Sequence, residues 1–250
     1  MMMFLSFGLV VGLAPLPSTL GASTFSLGDF TIEAFEQEMS KAQPMTSSSR
    51  TIYMQDVASG WGNGKHPTTR LCLDFLLDNV KFGDTVLDYG TGSGILSILS
   101  KKLGSAKCLA VDIDEDSLRA AKRNAELNGY SSPGDIDVIH TKHIYVGDDG
   151  FPLSDVTVAN ILPGPLSRLV APLWGLSKPG AQLCLSGMRP NELPAIRRLY
   201  APFVDTETEQ VTELAHETFG PWVAWRVKFK TMSSEERREA RNRLTELSME

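Results

Sequence analysis

The sequence predicts an α/β fold in which a doubly wound, mostly parallel sheet carries helices on both faces. Across residues 60–230, apolar segments of strand length alternate with amphipathic segments of helical period, which is typical of parallel strands joined by helices. Near the end, "WVAWRVKFK" alternates Trp225, Val227 and Phe229 with basic residues, which indicates a half-buried antiparallel strand. A chain of 250 residues, 42% of them hydrophobic, can bury a core of this size.

The predicted elements follow one another in chain order. The first is a helix, because Cys72, Phe75, Leu76 and Val80 recur at helical spacing and share one face. The strand candidates are "DTVLDY", "KCLAVDI", "DIDVIH", "DVTVANIL", "AQLCLSG" and "WVAWRVKFK". The helix candidates between them are "GILSILSKKL", "EDSLRAAKRNAELNG", "GPLSRLVAPLWGL" and "NELPAIRRLY".

Two of these helix candidates carry further signals. In "EDSLRAAKRNAELNG", Leu118, Ala121 and Ala125 form the inner stripe, and Gly129 is placed to end the helix. In "GPLSRLVAPLWGL", Pro165 suits a first helical turn, where a missing N–H leaves no hydrogen bond unmade. Each segment is therefore predicted to form one continuous helix.

The residues before the α/β region lack its pattern. The first 20 residues carry no charge, and their apolar run over residues 1–14 is too short to cross a membrane. This run resembles a signal peptide without the usual basic region, with a disordered leader or a misplaced start codon as the alternatives. A short helical patch is expected at "TIEAFEQEMSKA", before a polar linker. The chain is thus divided into a signal-like or disordered leader (1–25), a short extension and linker (26–59), the α/β domain (60–230) and a charged C-terminal helix (231–250).

The C-terminal tail, "SSEERREARNRLTELSME", is predicted to be a charged helix because Ser233 and Glu236 have the spacing of a capping box. We expect it to lie in solvent, with a partner surface as the alternative. At the other end, Lys41 is the first basic residue, so an Arg-rich transit peptide is not expected. Localisation is left open between an organelle (plastid or mitochondrion) and the cytoplasm.

The composition argues against several classes of function, namely nucleic-acid binding, metal binding and membrane insertion. A formal net charge of -6 disfavours sequence-independent binding to phosphates, so direct nucleic-acid binding is not expected. Cys72, Cys108 and Cys184 are far apart and lack metal-ligand spacing, so we expect core thiols and neither a metal site nor a disulfide framework. Stable membrane insertion is not expected either, and we expect a monomer.

A glycine-rich turn marks the candidate ligand site. In "VLDYGTGSG", Gly90, Gly92 and Gly94 follow a predicted strand and precede a predicted helix. Glycine there allows a tight turn and lets a ligand approach the backbone without a side chain in the way. The dinucleotide pattern would need a glycine at Ile95, where it is absent. We assign the three glycines and Asp88, the second-last residue of the same strand, to cofactor binding.

The next strand supplies an acidic residue. Asp112 ends that strand, where a carboxylate can accept hydrogen bonds from both hydroxyls of a ribose. Asp114 and Asp116 are expected to cap the helix that follows and to interact with its dipole. Because the glycine turn lacks a phosphate-loop lysine, the pattern favours an adenosyl group without phosphates, and S-adenosylmethionine is such a ligand.

Asn160 ends a later strand and faces the same predicted crevice, in "VANILPGPL". Its amide oxygen could accept a hydrogen bond from an amine, and its N–H groups could bind a cofactor; a helix cap is the alternative. Pro163 and Pro165 stiffen the following loop, which suits a site that holds an acceptor group in line with a methyl. We favour a structural role for His66 over proton acceptance.

Four of these motifs together resemble those of a known enzyme family. "HPTTRLCLDFL", "VLDYGTGSGIL", "VDIDEDSLRAAKRNAELNG" and "VANILPGPL" resemble the lysine methyltransferases of ribosomal protein L11, the PrmA type. The resemblance implies a class I methyltransferase, Rossmann-like, with a seven-stranded sheet, that transfers methyl from S-adenosylmethionine to a protein amine, a lysine side chain or an N-terminus. By residue match the cofactor contacts would be Thr69, Gly90, Asp112 and Asn160, with Asn160 also serving catalysis.

Three departures from that family leave the acceptor open. Trp61 and Asn63 replace a phenylalanine and a threonine of the family's loop, and residues 26–59 are too few for the separate recognition domain found in the bacterial proteins. A protein substrate is expected, with a ribosomal protein as one candidate. The alternatives are a small-molecule or nucleic-acid methyltransferase of the same fold, and a non-catalytic adenosyl-binding partner subunit.

Overall fold

The structure, a computed structural model, describes residues 22–35, 50–55, 64–144, 152–218 and 220–247. Its strands are β1 (Ala22–Leu27), β2 (Phe30–Phe35), β3 (Thr51–Gln55), β4 (Thr85–Tyr89), β5 (Lys107–Asp112), β6 (Ile136–His140), β7 (Ser154–Asn160), β8 (Ser177–Met188), β9 (Val204–Leu214) and β10 (Trp222–Phe229). Its helices are α1 (Pro67–Asn79), α2 (Ile95–Lys102), α3 (Glu115–Leu127), α4 (Pro163–Leu166), α5 (Val170–Gly175), α6 (Leu193–Tyr200) and α7 (Ser234–Leu247).

The seven later strands form one sheet in the order β6-β5-β4-β7-β8-β10-β9. Neighbouring strands from β6 to β8 run parallel, whereas β10 pairs antiparallel with both β8 and β9. This confirms the predicted seven-stranded, mostly parallel sheet. The strand order reverses between β4 and β7, and open α/β sheets bind ligands outside the carboxyl ends of the strands at such a point.

Apolar side chains cover both faces of this sheet. On one face α1, α2 and α3 pack together with β1–β3, and on the other face α5, α6 and α7 pack around Trp174 and Trp225. Cys72, Cys108 and Cys184 are buried free thiols, as predicted. Among the described residues, no helix combines the length and the apolar character needed to cross a membrane.

The predicted inner stripe of α3 is confirmed, because Leu118, Ala121 and Ala125 are all buried. The helix ends as its sequence indicates. Gly129 has a φ of +81° and donates its N–H to Glu126, while Tyr130 donates to Ala125. This pair of hydrogen bonds satisfies carbonyls of the last turn, which otherwise lack partners.

The prediction of one helix over "GPLSRLVAPLWGL" is wrong. The structure has two short helices, α4 and α5, separated at residues 167–169. Pro172 explains the break, since its ring would clash with the carbonyl of Arg168 in a continuous helix and it has no N–H to donate there. Strand β9 was also absent from the predicted elements. It forms an edge of the sheet and Val204 is its one buried side chain, so it lacks a buried apolar stripe.

The helical patch predicted at residues 31–42 is wrong where the structure describes it. Residues Phe30–Phe35 form β2, which pairs antiparallel with β1 and parallel with β3. Phe30, Ile32 and Ala34 are buried at every second position, so the local period is that of a strand. Strand β1 runs across the predicted boundary between residues 25 and 26.

The C-terminal helix packs on the domain, contrary to the expectation that it lies in solvent. Its capping box is confirmed, since Ser233 N–H donates to Glu236 Oε2 at 2.7 Å and Glu236 N–H donates to Ser233 Oγ at 3.3 Å. Arg237 is buried, donates to the carbonyls of Trp174 and Ser177 at 3.2 and 3.0 Å, and places Cζ 4.6 Å from the centre of the Trp174 ring.

We therefore predict that Arg237→Ala destabilises the protein by about 2 kcal/mol, the scale of hydrogen bonds from a charged donor. The matched control is Arg238→Ala, which removes an exposed arginine from the same helix and should cost less than about 0.5 kcal/mol. Urea unfolding of both variants measures the difference. Equal losses from the two variants would contradict the anchoring role of Arg237.

Candidate functional site

A cavity of about 500 Å³ opens at the carboxyl ends of the central parallel strands. This volume lies in the range of small-molecule sites, 300–1,000 Å³. Most of its walls come from residues at or just after the ends of β4, β5, β6, β7 and β8, and the rest come from the starts of α1 and β10 and from the region of α4. The lining residues are His66, Thr68, Tyr89, Gly90, Asp112, Ile113, Thr141, Asn160, Ile161, Leu162, Pro165, Leu169, Gly187 and Trp222.

The glycine turn after β4 forms one wall. The N–H groups of Gly90 and Thr91 both donate to the carbonyl of Val111 on the neighbouring strand, at 2.7 and 2.9 Å. Gly90, Gly92 and Gly94 have φ values of +80°, +53° and +83°, a region that favours glycine. A Cβ at Gly90 would lie 2.6 Å from Ile161, so glycine is also required for packing there.

Asp88 lies beneath this turn and is not among the residues that line the cavity. It is fully buried, and its Oδ2 accepts hydrogen bonds from Thr91 Oγ1 at 2.7 Å and from Ser97 Oγ at 2.8 Å and N–H at 3.2 Å. Its Oδ1 has no partner among the described residues. Burial raises the pKa of Asp88 to about 6, against the opposing effect of the Thr91 and Ser97 hydrogen bonds.

Asp112 lies in the cavity wall at the end of β5, as the sequence predicts. Its Oδ2 accepts the N–H of Gly92 at 2.9 Å, and its Oδ1 accepts the N–H groups of Ile113 and Asp114 at 2.8 and 3.0 Å. These backbone donors fix the orientation of the carboxylate before any ligand arrives. Asp114 caps α3 by accepting from Ser117, which confirms the capping role predicted for it.

Asn160 lines the cavity at the end of β7 and donates its Nδ2 to Thr69 Oγ1 at 3.3 Å. Thr69 is buried in the first turn of α1, behind the cavity wall. The bond leaves the amide oxygen of Asn160 as the group that can accept from a ligand. The alternative interpretation of Asn160 as a helix cap is wrong, because Leu162 is the residue that precedes α4.

His66 has a structural role, as the sequence analysis favoured. It caps α1, and its Nδ1 accepts from the N–H of Thr68 at 3.4 Å and lies 2.8 Å from Thr68 Oγ1. Burial lowers the pKa of His66, and the nearby charges of Arg189 and His216 lower it further. The imidazole is therefore held neutral, with its acceptor nitrogen engaged by Thr68.

Trp222 is a site residue that the sequence analysis missed. Its ring lies 4.9 Å from that of His66 in an edge-on arrangement, and the Arg189 guanidinium lies 3.8 Å from its centre on a face. What places Trp222 in the site is the topology of the sheet. Because β10 runs antiparallel to β8, the first residue of β10 lies at the edge where the parallel strands end.

Gly187 is a second residue that the sequence analysis missed. Its φ is +92°, and a Cβ there would lie 2.4 Å from the carbonyl oxygen of Ile161. Since Ile161 follows Asn160 directly, this close backbone contact sets where the Asn160 amide lies. The available signal was the glycine at the end of the predicted strand "AQLCLSG".

The structure thus brings Gly90, Asp112 and Asn160 together in the cavity wall, with Asp88 and Thr69 behind it. Gly92 and Gly94 belong to the same turn, where Gly94 allows close packing: a Cβ there would lie 3.1 Å from Ala121 Cα. The two departures noted at Trp61 and Asn63 lie outside the described residues.

The family model of ribosomal protein L11 methyltransferase (PrmA) matches residues 29–223 of the chain. The ribosomal protein L11 methyltransferase of Vibrio cholerae is 42% identical over 161 residues, which are 64% of this chain and 52% of that protein. The protein of that name from Cupriavidus metallidurans is 39% identical over 149 residues, 60% of this chain and 46% of its own length. The chain spans about half the length of the curated relatives it matches.

Solved structures show the same architecture. The ribosomal protein L11 methylase of Lactobacillus delbrueckii subsp. bulgaricus superposes with a TM-score of 0.62 at 29% identity, covering 83% of this chain and 98% of that one. A methyltransferase from Pyrococcus furiosus, 18% identical, superposes with a TM-score of 0.50 over 67% of this chain and 87% of its own, and shows the fold alone. The fold is that of the class I methyltransferases, as predicted.

The raised pKa of Asp88 predicts a pH-dependent stability. The folded chain binds a proton at Asp88 near pH 6, whereas the unfolded chain does so near its ordinary value of 3.8. This contribution to stability is therefore fully present below pH 4 and is lost as the pH rises through 6. Relative to Asp88→Asn, which does not titrate, the wild-type protein should lose about 1 kcal/mol between pH 5 and pH 7.

Urea unfolding of the ligand-free proteins across this pH range measures that difference. Asparagine keeps an oxygen for the Thr91 and Ser97 donors, so the variant should remain folded. A constant difference in unfolding free energy between the two proteins would show that Asp88 is ionised in the folded chain over the whole range.

Proposed function

The chain belongs to the ribosomal protein L11 methyltransferase (PrmA) family, and on this premise we propose that it is an S-adenosylmethionine-dependent methyltransferase acting on a protein amine. The observation that carries the proposal is the meeting of Asp112, the glycine turn and the Asn160 amide in one cavity at the switch point of the sheet. The first two suit an adenosyl group, and the third suits an amine.

The residues present fit S-adenosylmethionine. Asp112 is oriented by three backbone donors, and its Oδ2, which accepts only one of them, keeps acceptor capacity for a ribose hydroxyl. Glycine at position 90 lets a ligand approach the backbone closely. The buried carboxylate of Asp88 lies behind the glycine turn and supports it by accepting hydrogen bonds from Thr91 and Ser97. When bound, the cofactor supplies a methyl group on a positively charged sulfonium.

The chain's own task is then to position the acceptor and exclude water. The amide oxygen of Asn160 can accept from the acceptor amine, with the amide held by Thr69 and by the close contact of Gly187 with Ile161. Apolar walls from Ile161, Leu162 and Trp222 remove the amine from water. His66 Nδ1 is engaged by Thr68, so we assign no proton-accepting role to His66.

The apolar cavity and the positive charge of the cofactor would also help a lysine acceptor to lose its proton. A free lysine amine has a pKa of about 10.4. Both desolvation in the cavity and repulsion from a neighbouring positive charge lower that value. An amine in this cavity would therefore lose its proton to solvent before methyl transfer.

The names of the relatives support an L11-type ribosomal protein as the acceptor. Leu162, which follows Asn160 by two residues, is 56% exposed at the cavity, and Ile113 is 74% exposed. Apolar side chains at a cavity rim suit contact with a protein segment next to the modified amine. The small-molecule, nucleic-acid and non-catalytic alternatives become outcomes of the test.

The test is to incubate the purified chain and methyl-labelled S-adenosylmethionine with an L11-type ribosomal protein, and to locate the label by mass spectrometry. We expect label on a lysine side chain or the N-terminal amine, and none with Asp112→Ala at a cofactor concentration near the wild-type dissociation constant. Label on RNA or on a small molecule would overturn the protein acceptor. Cofactor binding without transfer to any acceptor would favour the non-catalytic subunit.

Asn160→Ala should lower turnover about 100-fold, comparable with the loss of one preorganised polar group in an active site. Cofactor affinity should change far less, since Asp112 and the glycine turn remain. Thr69→Val removes only the partner of the Asn160 amide and should lower turnover by a smaller factor. Turnover at saturating cofactor and calorimetric cofactor affinity separate these effects. Unchanged turnover with much weaker cofactor binding in Asn160→Ala would make Asn160 a cofactor ligand alone.

A further inference from the structure

One face of α3 joins two parts of the protein that are far apart in sequence. Ala121 and Asn124 lie three residues apart on one face of α3, and Asn128, four residues further on, caps the C-terminus of the helix on the same side. Ala121 packs against Gly94 of the glycine turn. Asn128 binds strand β3, and Asn124 lies between them, 1% exposed.

The Asn124 amide contacts both neighbours. Its Nδ2 donates to the carbonyl of Ser93 at 2.9 Å, and its Oδ1 accepts the N–H of Gln55 at 2.9 Å. Ser93 stands between Gly92 and Gly94 in the turn, and Gln55 is the last residue of β3. One buried side chain therefore links the N-terminal sheet to the glycine turn.

We propose that Asn124 is a positioning residue for the cofactor, which couples strand β3 to the glycine turn and holds the turn in its binding conformation. The turn needs such support because its three glycines have more backbone freedom than other residues. The Gly92 N–H that orients Asp112 belongs to the residue directly before Ser93. Movement of Ser93 would therefore alter the carboxylate assigned to the ribose.

The chemistry of the position requires an amide. Asparagine can donate to Ser93 and accept from Gln55 at the same time, whereas aspartate can only accept when ionised. Aspartate would keep the Gln55 contact and place negative charge against the Ser93 carbonyl. The two contacts can therefore be separated by substitution.

A second contact connects the N-terminal sheet to the same region. A Cβ at Gly64 would lie 2.4 Å from the ring of Phe25 on β1 and 3.0 Å from Ile95, the first residue of α2. Gly64 leads into His66 and the first turn of α1, which lines the cavity. The sheet of β1–β3 thus contacts Gly64, before α1, directly through Phe25, and it reaches the glycine turn through Asn124.

Asn128 supplies a matched control. It caps the C-terminus of the same helix and binds the same strand, accepting from the N–H of Tyr53 at 3.0 Å and donating to its carbonyl at 2.7 Å. Its described contacts do not include the glycine turn. Loss of Asn128 should therefore loosen β3 without directly affecting the cofactor site.

The experiment compares Asn124→Ala, Asn124→Asp and Asn128→Ala in the full chain, and its cofactor readout rests on the proposed function. Calorimetry with S-adenosylhomocysteine, the demethylated product, should show a dissociation constant raised tenfold or more in both Asn124 variants. Asn128→Ala should change it less than twofold while lowering the melting temperature. Hydrogen exchange of the ligand-free proteins should be faster at Gly92 and Gly94 in the Asn124 variants only.

Two results would overturn the role of Asn124. One is unchanged affinity and unchanged exchange at the turn in folded Asn124 variants. The other is an equal loss of affinity in Asn128→Ala, which would indicate general loosening of the N-terminal sheet. A wild-type chain that fails to bind the cofactor would instead contradict the proposed function, and the exchange of Gly92 and Gly94 would still test Asn124.

Discussion

The site depends on one backbone arrangement, in which the turn after β4 folds back on β5. The N–H groups of Gly90 and Thr91 share the carbonyl of Val111, and this is possible because Gly90 takes a positive φ. The turn then presents the Gly92 N–H to Asp112 and directs the chain into α2. A side chain at Gly90 would strain the backbone and meet Ile161, so the same residue also sets the distance to the β7 end of the cavity.

Much of the fold and the main site residues could be predicted from the sequence, for a physical reason. Parallel strands place their carboxyl ends on one edge of the sheet, so residues that follow successive strands converge there. Asp112 and Asn160 each end a strand, and Gly90 follows one, so their meeting follows from chain order alone. Helix ends were equally predictable at Asp114 and Gly129, because caps depend on local backbone geometry.

The rest depends on tertiary contacts that leave little trace in local sequence. Asn124 resembles any polar residue in an amphipathic helix, and only the positions of Ser93 and Gln55 show what it binds. The patch at Phe30–Phe35 has a mixed composition, and its strand state is set by pairing with β1 and β3. Trp222 enters the site because β10 pairs with β8, and the partner of a strand cannot be recognised before the sheet order is known.

The central claim is that the cavity at the ends of β4, β5 and β7 holds the cofactor with its methyl group directed toward Asn160. A crystal structure of the protein with bound S-adenosylhomocysteine tests it most directly. The account predicts both ribose hydroxyls within hydrogen-bond distance of the Asp112 carboxylate and the sulfur on the side of the cavity formed by Asn160. A ligand bound elsewhere, or one whose ribose does not contact Asp112, would contradict it.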